Sequence, residues 1–459
     1  MRKKHIILTG VLVAFTVLAL CVVLFSRHRR NDYARVLPDD CRWLVCANLP
    51  ELMSQAGIDP SRIQALADMR EHENYGLAPN LPVYFFSTPS ERLCLLSALS
   101  DAERLEAWLT SQGVRVESQR GFRWADFRQW LLCFDGDKLL AMEVAGGQDG
   151  PARKELYRLM TTEHTAMPFA DALRSVDGCV RMACSASALS QLATDAGKQL
   201  GGLPVPEGRQ ATLVAGCRVE PKSITLDASI HDPEHELDEL TTICTRVLRP
   251  INAGKLDPMP DGALFSVGLD MDGNQLLQLL RKQKELRMLM VGVNLCMDAD
   301  KILGSIDGDI VLSLADCSGS LPHFLLSAEV NDNSILSGAS SWSGFGNMKV
   351  VGHSANACEL SLDGERVMMQ VKDNVLRVSN VASHDVERMK APAAPLPENT
   401  YLVARLSCKH PALHLPALCT SALQHVQAVC HPGGISVTLS LDGPWTECIN
   451  NIQNQQNPQ

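Results

Sequence analysis

Hydrophobic and polar positions along the chain repeat one succession of patterns, namely a turn, a strand and a leucine-rich helix. A Pro-Asp or Asp-Gly turn leads into six or seven strand-like residues, and a polar turn then opens the helix. This phrase begins near Pro38, Val176, Pro260 and Pro397. The first two starts are 138 residues apart and the last two are 137 apart, so the four copies form two pairs of nearly equal spacing.

Further matches fall between the members of each pair and keep the same order. The segment CLLSALSD from Cys94 resembles FLLSAEVND from Phe324. The segment LLCFDGDKLLAMEVA from Leu131 resembles MMQVKDNVLRVSNVA from Met368. Chance similarity of short apolar phrases is the alternative, but several matches in one order favour an internal duplication.

Each pair of copies also ends in two alternating strands joined by a short turn, at residues 211–230 and 429–441. We therefore predict a first α+β half at residues 31–248 and a second at residues 249–459. Antiparallel hairpins interrupted by helices are typical of an α+β fold with a mainly antiparallel sheet and helices on one face.

Helical periodicity adds a set of predicted helices to these strands. They lie at about residues 49–70, 102–112, 151–162, 186–199, 233–249, 273–290 and 412–425.

Residues 1–30 are predicted to be a cytoplasmic tail and a transmembrane anchor. The uncharged run at residues 6–25 has 20 residues, enough for a helix across a hydrocarbon core of about 30 Å. A cleaved signal peptide is the first alternative, although its apolar region is usually shorter and no small-x-small site precedes Arg27. A lipoprotein lipidated at Cys21 is the second, although Leu20 is larger than the residue expected there. Basic residues lie on both sides of the run, so the charge distribution does not indicate the orientation of the helix in the membrane. A short cytoplasmic tail and a periplasmic main domain are the default expectation.

Charge and aromatic content restrict the partners. Beyond residue 30 the chain has 36 Lys and Arg against 52 Asp and Glu, a net charge of −16. This balance argues against nucleic acid and against docking on anionic lipid. With 5 Tyr and 6 Trp in the whole chain, stacking platforms for sugars or single strands are disfavoured.

The number of cysteines, 16, could indicate a disulfide framework, but the residues that flank them favour a different interpretation. Cys94, Cys133 and Cys244 lie in apolar phrases, where cysteine behaves as a small buried hydrophobe. Fifteen of them follow the apolar run, an odd number that forbids complete pairing within the chain. No Cys-x-x-Cys is present, so zinc ribbons and thioredoxin-type chemistry lack their signature.

Candidate chemistry is sparse, and each candidate has a structural explanation. His231 and His235 are four apart, but the flanking acidic residues and Pro233 fit the start of a helix. The acidic phrases at residues 270–274, 298–300 and 307–309 lack the spacing of a calcium loop and suit caps and turns. Ser343 and Ser354 lie in glycine-containing phrases without a nucleophile elbow. We therefore predict no catalytic, cofactor-binding or metal-binding residue and no cofactor.

The segment PDDCRWLVCANLPELMSQAGI from Pro38, the PVYFFS strand with its partner RLCLLSALSD, and GSIDGDIVLSL from Gly304 resemble a family of uncharacterised Bacteroidetes cell-envelope proteins. Members are usually lipoproteins, and the resemblance extends over most of the chain after residue 31. It implies an envelope location but no activity, cofactor or catalytic residue. The chain departs from the family in lacking a sound lipobox.

Three hypotheses follow from these observations. The leading one is a non-enzymatic, periplasm-facing binding or scaffold protein that meets a protein or other envelope ligand. The second is an envelope hydrolase with a composite site between the two halves. The third is a receptor for a nutrient, which would need an apolar or aromatic-lined cavity.

Overall fold

A computed structural model of the 459-residue chain forms two compact units, residues 1–188 and 189–459. The halves 31–248 and 249–459 were inferred from the sequence repeat alone, and the boundary between them stays a prediction. The structure describes residues 33–57, 73–144, 149–162, 167–185, 211–235, 242, 245–252, 263–282, 284–295, 297–316, 322–342, 349–362, 364–381, 400–410 and 423–444.

The described part of the first unit contains an antiparallel sheet and short helices. Its strands are β1 (Trp43–Ala47), β2 (Val83–Ser87), β3 (Leu93–Ala98), β4 (Val116–Gln119), β5 (Phe122–Phe127), β6 (Trp130–Phe134), β7 (Lys138–Glu143) and β8 (Val180–Ser185). They pair in the order β8-β1-β2-β3-β7-β6-β5-β4. Its helices are the 3₁₀ helices η1 (Tyr33–Val36) and η2 (Glu73–Gly76), and α1 (Leu49–Gln55), α2 (Ala102–Ser111), α3 (Asp149–Thr161) and α4 (Ala170–Arg174).

Helices cover both faces of this sheet, whereas the sequence predicted helices on one face only. On one face, Leu105 and Leu109 of α2 pack against Phe134 and its neighbours in β6 and β7. On the other face, the Arg153 guanidinium of α3 lies 5.6 Å from the centre of the Trp124 ring. Covering both faces explains why residues 131–134 and 139–142 form continuous buried apolar runs.

The described part of the second unit contains a longer antiparallel sheet. Its strands are β9 (Thr212–Glu220), β10 (Ser223–His231), β11 (Leu248–Arg249), β12 (Phe265–Asp272), β13 (Ile306–Asp316), β14 (His323–Val330), β15 (Lys349–His353), β16 (Ala357–Leu362), β17 (Glu365–Lys372), β18 (Val375–Ser379), β19 (Leu402–Ser407), β20 (Leu423–His431) and β21 (Gly434–Leu441). They pair in the order β9-β10-β21-β20-β19-β12-β13-β14-β18-β17-β16-β15, and β11 pairs with one end of β12. The helices are α5 (Gly273–Lys282), α6 (Lys284–Asn294), α7 (Ala299–Ser305) and the 3₁₀ helix η3 (Ala339–Ser341).

Eight strands in each unit follow the same order. Strand β1 lies between β2 and β8, as β12 lies between β13 and β19. Beyond β3 in the first unit the strands continue in the order β7-β6-β5-β4, and beyond β14 in the second unit they continue in the order β18-β17-β16-β15. Strands β1 and β12 therefore offer equivalent positions that can be compared residue by residue.

The predicted fold class, α+β with an N-terminal transmembrane helix and two halves with helices on one face, is wrong. The described residues form mostly antiparallel sheet with a few helices. None of the helices in the described part of the chain is long and apolar enough to cross a membrane. Residues 6–25, on which the anchor was predicted, lie outside the described residues.

Two of the predicted helices include residues that form strands in the structure. The helix predicted at 233–249 is wrong at both ends, because residues 232–235 form a turn with His235 at φ +59° and residues 248 and 249 form β11. The helix predicted at 412–425 is likewise wrong at 423–425, where β20 begins, and its earlier residues lie outside the described part. In both places pairing with a neighbouring strand overrides the local helical pattern.

We expect Gly76→Ala to destabilise the first unit strongly. Gly76 has φ +77° and accepts hydrogen bonds from the Ser100 and Asp101 amides at the start of α2. A Cβ there would lie 2.0 Å from the Asp101 carbonyl oxygen, so the change should cost about 3 kcal/mol or more. The control Gly113→Ala has φ +75° but open space around its Cβ, and should cost about 1 kcal/mol. Urea unfolding measures both, and equal losses would contradict the role of the close approach.

Candidate functional site

Three side chains from neighbouring strands of the first unit form one row. Cys46 of β1 pairs with Tyr84 of β2 on one side and with Arg181 of β8 on the other. Residues directly opposite each other in an antiparallel pair point to the same face, with Cβ atoms about 4.5–5.5 Å apart. A phenol, a thiol and a guanidinium group therefore stand side by side, and we call them the Tyr84–Cys46–Arg181 row.

The 3₁₀ helix η1 covers the tyrosine end of the row. The ring of Tyr33 lies 5.8 Å from the ring of Tyr84, at an interplanar angle of 50°. The Tyr33 hydroxyl donates a hydrogen bond of 2.5 Å to the Pro82 carbonyl just before β2. Both tyrosines are buried, so the contact between the tilted rings and this hydrogen bond position η1 against the strand.

Burial keeps the thiol and the phenol of the row neutral. Cys46 is 5% exposed, and its burial raises the pKa of the thiol, although the charge and hydrogen bond of Arg181 act in the opposite direction. Burial, together with the neighbouring Cys46, also raises the pKa of the Tyr84 hydroxyl. At neutral pH both groups are therefore protonated, and the charge of the row resides on Arg181.

A cavity of about 480 Å³ opens over the row. Small-molecule sites usually have roughly 300–1,000 Å³. Its apolar lining residues are Ala34 of η1, Leu173 of α4, and Pro82 and Met167.

Guanidinium groups supply the charge of this cavity. Arg35, Arg174 and Arg181 all line it, and none of the described lining residues carries a carboxylate. Arg174 forms an ion pair with Asp171 on its own helix at 2.9 Å, where both side chains are exposed. The cavity therefore combines apolar and polar lining surface and carries positive charge, within a chain whose formal net charge is −10.

The equivalent row in the second unit is apolar and filled. Gly268 of β12 stands eight residues after Pro260, as Cys46 stands eight after Pro38, and it pairs with Val311 and Val403. Both valines are buried in a cluster with Ile251. The same strand order thus carries a polar row with a cavity in one unit and a packed apolar row in the other.

A second cavity of about 480 Å³ lies in the second unit beside the turn between β20 and β21. Its lining includes Leu213, Ile230 and Ile435, and Asp232 is the charged residue among the described lining residues. One carboxylate with apolar neighbours offers few contacts that would orient a ligand, so the cavity over the row is the stronger candidate.

Two of the three acidic phrases of the sequence meet on β12 and β13, where Asp270 and Asp309 are directly opposite each other. Arg249 binds Asp270 at 2.7 Å and Asp307 at 2.8 Å. Asp309 is 1% exposed and accepts the Asn252 amide at 3.1 Å. Burial raises the pKa of Asp270, and Asp309 adds to this, whereas Arg249 opposes it. The guanidinium of Arg249 pairs with two of these three carboxylates, Asp270 and Asp307, which indicates a structural ion-pair group.

The remaining sequence candidates are dispersed. His231 is the last residue of β10, and His235 lies in a turn with φ +59°. Asp300 forms an ion pair with Arg281 at 2.5 Å. The Ser354 hydroxyl accepts a hydrogen bond from the Ala357 amide at the start of β16. Ser343 lies outside the described residues. Within the described ranges, no three His, Cys, Asp or Glu side chains are grouped as metal ligands would be.

The cysteines of the described segments match the interpretation from their apolar neighbours. Ten are described, and eight of these are buried. Cys94 and Cys133 are fully buried, and burial raises the pKa of the Cys133 thiol to about 12. They pack as small hydrophobic side chains.

Sequence reasoning did not identify the Tyr84–Cys46–Arg181 row. A usable signal was present, because Arg181 interrupts the otherwise apolar VRMACS strand. Charged residues are seldom placed within a core strand unless a partner or a ligand compensates them. That signal does not reveal the partners, since they come from strands about 100 and 135 residues earlier.

Comparison with known proteins gives a family but no activity. A family model described as a domain of unknown function (DUF4836) matches residues 33–380. No curated protein matches the chain. Solved structures titled as crystal forms I, III and IV of TP0453 are 12–13% identical to it, cover 48% of this chain and 85–88% of their own, and have TM-scores of 0.28–0.29. Similarity at this level carries no argument about fold or function.

We expect Arg249→Met to destabilise the second unit by about 2 kcal/mol or more, because it leaves Asp270 buried without its cation. The raised pKa of Asp270 means that its stabilising contribution is lost as pH rises through that pKa. The loss in Arg249→Met should therefore be larger at about pH 7 than at about pH 4.

The matched control is Arg366→Met, which removes an exposed ion pair with Glu359 between β16 and β17. It should cost less than about 1 kcal/mol at either pH. Urea unfolding at both pH values measures the two variants, and a pH-independent loss in Arg249→Met would exclude the proposed charge burial.

Proposed function

The chain belongs to the family of the domain of unknown function DUF4836, and from this premise we propose that it is a non-enzymatic binding protein. Its first unit holds a small ligand in the cavity over the Tyr84–Cys46–Arg181 row. A scaffold function, in which the protein also meets an envelope protein partner, is part of the same proposal. Nucleic acid is not among the proposed partners, because the chain is acidic.

The observation that carries the proposal is the convergence of apolar walls and a few polar groups in one cavity. Met167 and Leu173 provide apolar surface, while Tyr84 and Arg181 provide polar atoms at fixed positions. Ligand sites combine these same elements, since apolar burial supplies affinity and a few polar groups supply orientation. The third hypothesis from the sequence, a receptor with an apolar or aromatic-lined cavity, has the same requirement.

The protonation states of the row favour binding over catalysis. A nucleophilic cysteine reacts as the thiolate, so a lowered pKa is its usual mark. The pKa of Cys46 is raised by burial instead, and so is that of Tyr84. Neutral groups of this kind can donate hydrogen bonds to a ligand but are poor nucleophiles or bases.

An envelope location, facing the periplasm, completes the proposal. It is supported by the apolar run at residues 6–25 and by the resemblance to Bacteroidetes envelope proteins, which are usually lipoproteins. Attachment to the membrane through this run, or through a lipid on Cys21, belongs to the same proposal.

The ligand-binding proposal predicts saturable binding of the dye anilinonaphthalene sulfonate in the first-unit cavity. Ala170→Trp places a large ring where Ala170 lines the cavity and should weaken dye binding roughly tenfold or more, as steric filling of a site does. Fluorescence titration measures the affinity. Ala107→Trp, at an exposed position of α2 in the same unit, is the control and should bind as the unchanged chain does. Undiminished binding by a folded Ala170→Trp chain would exclude the cavity as the site.

The envelope proposal predicts different behaviour for two chains in cell fractionation. The full chain should sediment with the envelope, whereas a chain starting at residue 31 should remain in the soluble fraction, because residues 6–25 supply the apolar surface. Immunoblotting of the fractions checks this. A Cys21→Ser chain separates the two modes of attachment, since only lipidation depends on that thiol. Recovery of the full chain in the soluble fraction would contradict the proposal.

A further inference from the structure

We infer that the ligand of the first-unit cavity is an organic anion with an apolar chain, whose carboxylate or phosphate head is bound by Arg181 and whose chain lies along Met167 and Leu173. This inference rests on the proposed binding function and specifies the ligand class. It follows from the charges and the walls of the cavity.

The charge of the ligand follows from the lining residues. Arg35, Arg174 and Arg181 supply guanidinium groups, and the described lining residues include no carboxylate. Asp171 offsets Arg174 at the exposed side of α4, and Arg35 also interacts with a partner, so we assign the anionic head to Arg181 of the row. Guanidinium forks pair well with carboxylate and phosphate oxygens and bind them more strongly than neutral acceptors.

The position of Arg181 makes its charge effective. Its strand neighbour Cys46 is a neutral buried thiol, and Tyr84 beyond it is a neutral buried phenol. Both can donate hydrogen bonds to an anion without competing for the guanidinium as a carboxylate would. Arg181 is partly buried, and an anionic head is attracted more strongly by a partly buried guanidinium than by one fully exposed to water.

The apolar part of the ligand follows from the walls and from the size of the cavity. Ala34, Pro82, Met167 and Leu173 present aliphatic surface, which a hydrated inorganic anion would leave unused. The volume of about 480 Å³ exceeds the need of an isolated phosphate or acetate. Burial of a hydrocarbon chain there contributes roughly 25 cal/mol for each Å² removed from water.

The experiment compares four probes by isothermal titration calorimetry with the full chain. Octanoate and octyl phosphate carry an anionic head and an apolar chain, octanol carries the same chain without charge, and acetate carries the charge without the chain. We expect octanoate or octyl phosphate to bind at least about tenfold more tightly than octanol, and acetate to give no measurable heat. The tighter of the two anions identifies the head group.

Variants of Arg181 test its part in this preference. Arg181→Gln should weaken the binding of octanoate and octyl phosphate by roughly tenfold to a hundredfold, because it removes the positive charge. It should leave the affinity for octanol unchanged, because the apolar lining residues are retained. Arg181→Lys keeps the positive charge but lacks the planar guanidinium group, so its affinity for the anions should lie between that of the unchanged chain and that of Arg181→Gln. The control Arg115→Gln changes an exposed arginine of the same unit and should have no effect. Circular dichroism verifies that each variant is folded.

The outcomes separate this inference from the proposed function. If octanol binds as tightly as the anions and Ala170→Trp blocks all of them, the cavity binds apolar ligands and the inference about charge is overturned. If Arg181→Gln weakens octanol and the anions equally, Arg181 is structural and the inference also fails. If no chain-bearing probe binds and the dye is unaffected by Ala170→Trp, the proposed function fails as well.

Discussion

The register of β1 against its two neighbours is the constraint on which the candidate site depends. Pairing of Cys46 with Tyr84 and with Arg181 gives the three side chains one face. A slip of one residue would turn them to the opposite face. The register is held by the adjoining row, in which Leu44 pairs with Phe86 and Ala183 and all three are fully buried. Apolar burial next to the site therefore fixes its polar atoms.

Burial raises the pKa of acidic groups in both units, but the charge near these groups is arranged differently. In the first unit it keeps Cys46 and Tyr84 neutral, and arginine supplies the charge of the cavity lining. In the second unit it raises the pKa of Asp270, and Arg249 compensates that carboxylate from within the chain. A carboxylate that is paired with a guanidinium of the same chain already has its counter-charge, whereas a positive cavity without a lining carboxylate can accept an anion.

Two sheets with the same order of eight strands carry different chemistry at equivalent positions. Cys46 has a cavity beside it, while Gly268 lies among packed valines and Ile251. A shared framework thus does not impose a shared site, because the row is set by single side chains and the framework by hydrogen bonding and burial. This difference places the binding function proposed here in the first unit.

The repeated succession of strands, the acidic balance of the chain and the burial of Cys94 and Cys133 could be predicted from the residues alone, because they follow from local patterns of apolar residues and from composition. The same patterns gave wrong predictions for the faces of the sheet that helices cover and for the segment at 423–425, since strand pairing outweighs local periodicity. The meeting of Tyr84, Cys46 and Arg181 beneath a cavity is visible only in the folded chain. Their contact depends on long-range register and on the packing of η1 and α4, and no short segment of the chain contains that information.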